Sequence, residues 1–138
     1  MKELKEKLFL LDFKNPGKAV ITGASSGLGL SFAKKLAAYG FDLVLIARRK
    51  ERLQKIASQL ESQYSIQCEI IPTDLAIVEN IEKVADDIKQ ISNLDILINN
   101  AGFATKGYFA DVPIEKDMSM INVHMTASVQ FYYAALQI

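Results

Sequence analysis

The sequence predicts an α/β fold built as a doubly wound parallel sheet, on three observations. Short, continuous apolar runs alternate with stretches of helical periodicity. The runs lack the in–out alternation of a half-solvated sheet, so they read as strands covered on both faces. A glycine-rich turn, Thr22-Gly23-Ala24-Ser25-Ser26-Gly27-Leu28-Gly29, joins the first run to the first helical stretch. Strand–helix repeats of this kind wind with right-handed crossovers, helices lying on both faces of the sheet.

The elements follow in order. Lys18 to Thr22 is the first strand, and the helix after it ends at Gly40, a C-terminal cap residue. The apolar run 43–46 is the second strand, followed by Leu53, Ile56, Ala57 and Leu60 at helical spacing. Residues 68–71 form the third strand; Ile77, Ile81, Val84, Ala85 and Ile88 then repeat as one helix face. Leu94 to Ile98 is the fourth strand. A last helix opens near Pro113, whose fixed φ suits a first turn, and runs toward the end of the chain. It carries two apolar stripes: Ile114, Met118, Ile121, Met125, Tyr132 and Leu136, and Met120, Val123, Ala127, Phe131, Ala134 and Ile138. A helix apolar on so much of its circumference is covered on more than one side.

At 138 residues the chain supports one domain with a proper core. Residues 1–16 read as an N-terminal arm and 17–138 as the sheet-bearing domain. The arm does not fit a signal peptide, because acidic residues interrupt its basic region and the apolar stretch 8–11 is too short. No run approaches a membrane span. The formal net charge of +0 argues against a nucleic-acid binder working through a basic surface. Cys68 stands alone in a strand-like run, which fits a buried, inert thiol and a reducing, cytoplasmic setting. No set of metal ligands is assigned.

The glycine turn is the most informative feature. Glycine permits positive φ and close approach to the backbone. The helix that follows offers unpaired N–H groups and the positive end of its dipole, which together attract phosphate. The spacing Gly23-x-x-x-Gly27-x-Gly29 resembles the short-chain dehydrogenase/reductase family rather than its extended, epimerase-like branch, and differs from the general G-x-G-x-x-G fingerprint. The resemblance runs from about Lys18 to Phe131. It implies a Rossmann-type sheet in the order 3-2-1-4, with a nicotinamide dinucleotide bound beyond the carboxyl ends of the strands.

Four motifs fall at that end. The first is the turn itself: Gly23, Ser25, Ser26, Gly27, Leu28 and Gly29 face the pyrophosphate. The second is Ala47-Arg48-Arg49. An acidic residue at the first of these places would accept hydrogen bonds from a ribose 2′-hydroxyl; here Ala47 stands there, and Arg48 and Arg49 offer guanidinium groups that suit a 2′-phosphate. NADP is therefore expected over NAD, although Ser26 stands where many NADP-using relatives carry a basic residue. The alternative for the pair is two solvated arginines opening a helix. The third motif, Asp74-Leu75, meets the adenine ring in the family; an Asp opening a helix explains the same residue without a ligand. The fourth, Asn99-Asn100-Ala101-Gly102, matches a family signature that steadies the sheet and lines the adenosine ribose.

The resemblance also implies that Asn122 is the catalytic-helix asparagine, which in the family holds a water linking an active-site lysine to solvent. His124 is given no role. Relatives complete the site with a serine and a Tyr-x-x-x-Lys pair. No tyrosine here has lysine four residues on: Tyr39, Tyr64, Tyr108, Tyr132 and Tyr133 meet Leu43, Cys68, Val112, Leu136 and Gln137. The fold is thus expected to be cut short after the fourth strand and its helix. The chain reads as the nucleotide-binding portion of an NADP-dependent oxidoreductase acting between carbonyl and alcohol, inactive alone, with a small-molecule substrate only in a longer chain. The alternative is a non-catalytic nucleotide-binding or subunit-interaction module. A homo-oligomer is expected through strand 94–98 and helix 113–138, with the Met120–Phe131 stripe or the strand as the contact.

Overall fold

A computed structural model describes residues 15–138. The expected N-terminal arm, apart from Asn15 and Pro16, lies outside the described residues. Four parallel strands form one sheet in the order β3-β2-β1-β4: β1 (Lys18–Thr22), β2 (Asp42–Ala47), β3 (Cys68–Pro72) and β4 (Leu94–Ile98). The expected order and orientation are those observed.

Helices cover both faces. On one, α1 (Gly27–Ala38) and α2 (Lys50–Tyr64) bury Ala33, Leu36, Leu53, Ile56 and Leu60 against Ala19, Ile21, Leu43 and Leu45. On the other, α3 (Val78–Lys89) and the last helix bury Ile81, Val84, Ile88, Val123 and Phe131 against Val20, Val44 and Ile46. Successive residues of β1 and β2 go to opposite faces, which is why these strands are apolar without alternation. Gly40 follows α1 at φ +88°, the left-handed conformation expected of a residue ending a helix.

The β1–β4 register slips between Lys18 and Ala19. Asp95 is the residue skipped, and its carboxylate accepts the Gly17 N–H at 2.7 Å. A polar residue in an otherwise apolar strand has thus found a backbone donor at the sheet's lower edge.

The last helix is not uninterrupted, as the sequence suggested. It comprises α4 (Ile114–Ile121), a π-helical turn (Asn122–Thr126) and α5 (Ala127–Ala135). The two stripes also exchange the roles expected of them. Val123, Ala127, Phe131 and Ala134 are buried in the monomer's own core, so the Met120–Phe131 stripe is not a free surface for assembly. The exposed stripe is the other one, Ile114, Met118, Ile121, Met125, Tyr132 and Leu136. Among the described residues β4 is an edge strand paired only with β1, as expected. Cys68 is half-buried rather than fully buried, and burial, reinforced by Glu61 and Asp42, raises its thiol pKa from 9.0 to about 12.

Candidate functional site

The carboxyl ends of β1, β2, β3 and β4 open into a cleft of 470 Å³. The strand order reverses at β1, between β2 and β4, and such a crevice is where open α/β sheets hold ligands. Gly23, Ser25 and Ser26 line it from the turn after β1, and Ala47, Arg48 and Arg49 from the end of β2 and the turn beyond. Asp74 and Leu75 come from the turn after β3, and Asn100, Ala101 and Gly102 from the turn after β4. Ten of the fifteen expected site residues are therefore brought together at one wall or another of this cleft.

The remaining five do other things. Gly29 lies inside the turn: a Cβ there would strike the Gly23 carbonyl oxygen and approach Asn100 Nδ2 to 2.6 Å. Gly27 has φ +54° and nothing within 4 Å of its missing Cβ, so it gives the backbone an open face beside α1's first N–H groups. Leu28 is 71% exposed, its side chain turned to solvent. Asn99 is not a lining residue; its Nδ2 is buried and, among the described residues, has no hydrogen-bond partner. Asn122 donates from Nδ2 to the Ala76 carbonyl at 3.0 Å, while its Oδ1 accepts from Thr126 Oγ1 at 3.3 Å.

The glycine turn and the β4 turn are locked together by Asn100 and by the hydroxyl of Thr22, to which the sequence assigns no role. Thr22, 2% exposed, accepts the backbone N–H of Asn100 and of Ala101 on one hydroxyl, each at 2.9 Å. Asn100 Nδ2 returns to the carbonyls of Thr22 and Gly23 at 3.1 and 3.4 Å. A Cβ on Gly23 would lie 2.8 Å from that amide. Gly23 and Gly29 thus make room for Asn100, and the spacing that looked like ligand clearance alone also serves close packing between two turns.

The other walls are equally specific. Ser26 precedes α1 in extended conformation and makes no side-chain cap. No acidic side chain lies in the first turn of α1, so this end of the helix stays electropositive. Arg49 Nη2 donates to Ser25 Oγ at 3.2 Å, carrying a guanidinium from the β2 turn onto the glycine turn. Asp74 does not cap α3, whose N-cap is Ile77. Its Oδ1 instead accepts the Ala76 N–H at 3.0 Å, closing a tight turn before the helix. His124 was likewise missed: Phe103 N–H donates to its Nε2 at 3.0 Å, and the ring sits where a Gly102 side chain would be. An isolated histidine on a helix has no sequence signal for such a partner.

The residues fit a dinucleotide. The open face of Gly27 adjoins a helix N-terminus beside the cleft, and two guanidinium groups lie beyond the end of β2. The family model for short chain dehydrogenases matches residues 17–138. The chain belongs to the short-chain dehydrogenase family. It is similar to the very-long-chain 3-oxoacyl-CoA reductase-A of Danio rerio, 34% identical over 81% of this chain and 36% of that protein. An uncharacterized oxidoreductase of Staphylococcus aureus strain MW2 is 37% identical over 86% of this chain and 50% of its own length. Among solved structures, a short-chain dehydrogenase from Sphingobium yanoikuyae in complex with NADPH superposes with a TM-score of 0.83 at 35% identity, covering 88% of this chain and 47% of that one. L-Sorbose reductase from Gluconobacter frateurii, complexed with NADPH and L-sorbose, gives 0.80 at 29% identity, with 88% and 47% covered. The chain spans half or less of the length of these relatives. Among the described residues, no helix of this short-chain dehydrogenase is long and apolar enough to cross a membrane.

Proposed function

We propose that the chain is the nucleotide-binding portion, residues 17–138, of an NADP-dependent oxidoreductase that transfers hydride between nicotinamide and a carbonyl or alcohol substrate. The observation that carries the preference for NADP is the end of β2, where Ala47 stands in place of a carboxylate and Arg48 and Arg49 line the cleft. A carboxylate there would repel a 2′-phosphate; guanidinium groups pair it through charge-assisted hydrogen bonds. The NADPH bound to two similar structures supports the same choice. The dinucleotide supplies the hydride chemistry when bound. The protein's part is to hold it: the turn's N–H groups and Ser25 and Ser26 at the pyrophosphate, Arg48 and Arg49 at the 2′-phosphate, Asp74 and Leu75 at the adenine, Asn100 to Gly102 at the ribose.

Within these 138 residues no Tyr-x-x-x-Lys exists to pass a proton at the substrate oxygen, so the chain alone is expected to be inactive. A catalytic role for Asn122, and a substrate, would require a longer chain. A cytoplasmic setting and a homo-oligomer complete the proposal, the first supported by a single, unreactive cysteine. The test is a titration of the purified chain with NADPH and NADH, followed by nicotinamide fluorescence. Tighter binding of NADPH is expected. Tighter binding of NADH overturns the assignment, and turnover of a carbonyl substrate overturns the inactivity.

A further inference from the structure

His124 is the chain's single histidine. It stands on the π-helical turn, two residues after Asn122, and reaches the turn that leaves β4. Its Nε2 lies 3.0 Å from the Phe103 nitrogen and 2.8 Å from the Phe103 carbonyl oxygen. One ring nitrogen thus faces both polar groups of a single residue. With the proton on Nδ1, Nε2 accepts the Phe103 N–H; with the proton on Nε2, it donates to the Phe103 carbonyl. Either tautomer keeps a bond. The imidazole also occupies the place a Gly102 Cβ would take, and its plane tilts 53° against the Phe103 ring at 6.5 Å.

The π turn makes this reach significant. Such turns interrupt an α-helix at a cost and concentrate at functional sites. Here two of its residues hold two different loops: Asn122 binds the Ala76 carbonyl, and His124 binds Phe103. Ala76, Gly102 and Phe103 all line the cleft, as do Ser119 and Val123 from the same helix. The helix therefore grips the β3 and β4 turns at the point where each meets the cleft.

We propose that His124 is a positioning residue of the nucleotide site, tying the Phe103 backbone and covering Gly102 so that the turn after β4 keeps the shape a bound dinucleotide meets. This rests on the nucleotide-site reading above. His124→Leu removes the hydrogen bond of either tautomer while keeping a side chain of comparable bulk. His124→Gln restores a donor and an acceptor at similar reach. Gly102→Ala adds a methyl group that must displace the ring.

The experiment measures NADPH affinity, Phe103 amide exchange by NMR and thermal unfolding for wild type and variants. His124→Leu and Gly102→Ala are each expected to weaken NADPH binding about tenfold, the scale of a lost hydrogen bond at an ordered turn. Both should speed Phe103 amide exchange, while His124→Gln recovers most of each property. The double variant should lose no more than either single one, because both changes break the same contact. A His124→Leu chain with wild-type affinity and wild-type Phe103 exchange overturns the proposal. So does a His124→Gln chain as impaired as His124→Leu, since that would mean bulk rather than hydrogen bonding matters. A wild-type chain that binds no NADPH overturns the nucleotide-site reading itself, and with it any role of His124 there; slowed Phe103 exchange would then mark a structural latch only.

Discussion

At the scale of single residues, a few side chains hold the cleft together and a different few are proposed to meet the nucleotide, and substitution separates the two. Thr22 belongs to the first group. Thr22→Val keeps the shape but leaves the Asn100 and Ala101 N–H groups without their acceptor. An unsatisfied buried donor costs about 1–3 kcal/mol, so urea unfolding should show a loss of that order, with NADPH binding weakened as well. Arg48 belongs to the second group. Arg48→Asp replaces an attraction for the 2′-phosphate by a repulsion and offers an acceptor to a 2′-hydroxyl. Hydrogen bonds to charged groups contribute about 1.5–3 kcal/mol, a factor of roughly ten to a hundred. The ratio of NADPH to NADH affinity should fall by at least that factor and drop below one, with unfolding unchanged. Cys68 gives a pH signature. Its thiol pKa is raised in the fold from 9.0 to about 12. Above pH 9 the unfolded chain loses a proton that the folded chain retains, so this contribution to stability is full below pH 9 and is lost as pH rises toward 12. Cys68→Ser should flatten the alkaline limb of a stability–pH curve, and wild-type Cys68 should resist thiol reagents at neutral pH until the chain unfolds.

At the scale of elements, Gly29 and Gly27 of the turn predict two different outcomes. Gly29→Ala drives a methyl group into the Gly23 carbonyl and the Asn100 amide, and neither is the free end of a flexible side chain. It should abolish nucleotide binding and lower stability together. Gly27→Ala meets no atom and must only adopt φ +54°, which costs about 1–2 kcal/mol. Its folding should survive, while the methyl group on the open face weakens binding. Paired unfolding and NADPH titrations distinguish the two. The strands and the helices on either face were legible in a continuous apolar run such as 43–46 and a 3.6-residue period such as Ile81, Val84, Ile88, while the order of the sheet came from the resemblance to the family. The candidate site residues came from the resemblance to the family, and ten of the fifteen line one cleft; Gly23 and Gly27 stand there at φ +68° and +54°, a conformation that favours glycine and so leaves a mark in residue type. What was not legible depends on tertiary distance. Phe131 is buried and Met125 exposed because of how the last helix packs on α3 and the sheet, which two similar apolar stripes do not reveal. His124 pairs with a backbone group, which any residue at 103 would offer, so its partner leaves no trace in residue type.

At the scale of the whole molecule, the edge of β4 and a stripe on the last helix are open among the described residues, and their chemistry ranks them. β4 carries unpaired backbone groups along its outer edge, but the exposed Asp95 lies within it, and a charge on an edge strand opposes pairing with another strand. The stripe on the last helix has no such charge. Ile114, Met118, Ile121, Met125 and Tyr132 are each about half exposed, and Leu136 is 81% exposed. Full burial of such a side chain contributes about 1.5–3 kcal/mol, so roughly 1 kcal/mol remains to be gained at each. A two-fold contact uses every position twice. The total, on the order of 10 kcal/mol per dimer, is comparable with the cost of association, which favours a weak dimer formed at tens of micromolar protein. Light scattering over a dilution series should therefore show a mass that falls toward the monomer as concentration drops. Met125→Glu or Leu136→Glu should shift that curve to the monomer with the circular dichroism unchanged. Phe131→Glu should act differently, unfolding the chain rather than separating it, because Phe131 is fully buried in the monomer's own core. A clean monomer at tens of micromolar would remove the stripe as an assembly surface, and a Leu136→Glu chain that stays dimeric would transfer the contact to the edge of β4.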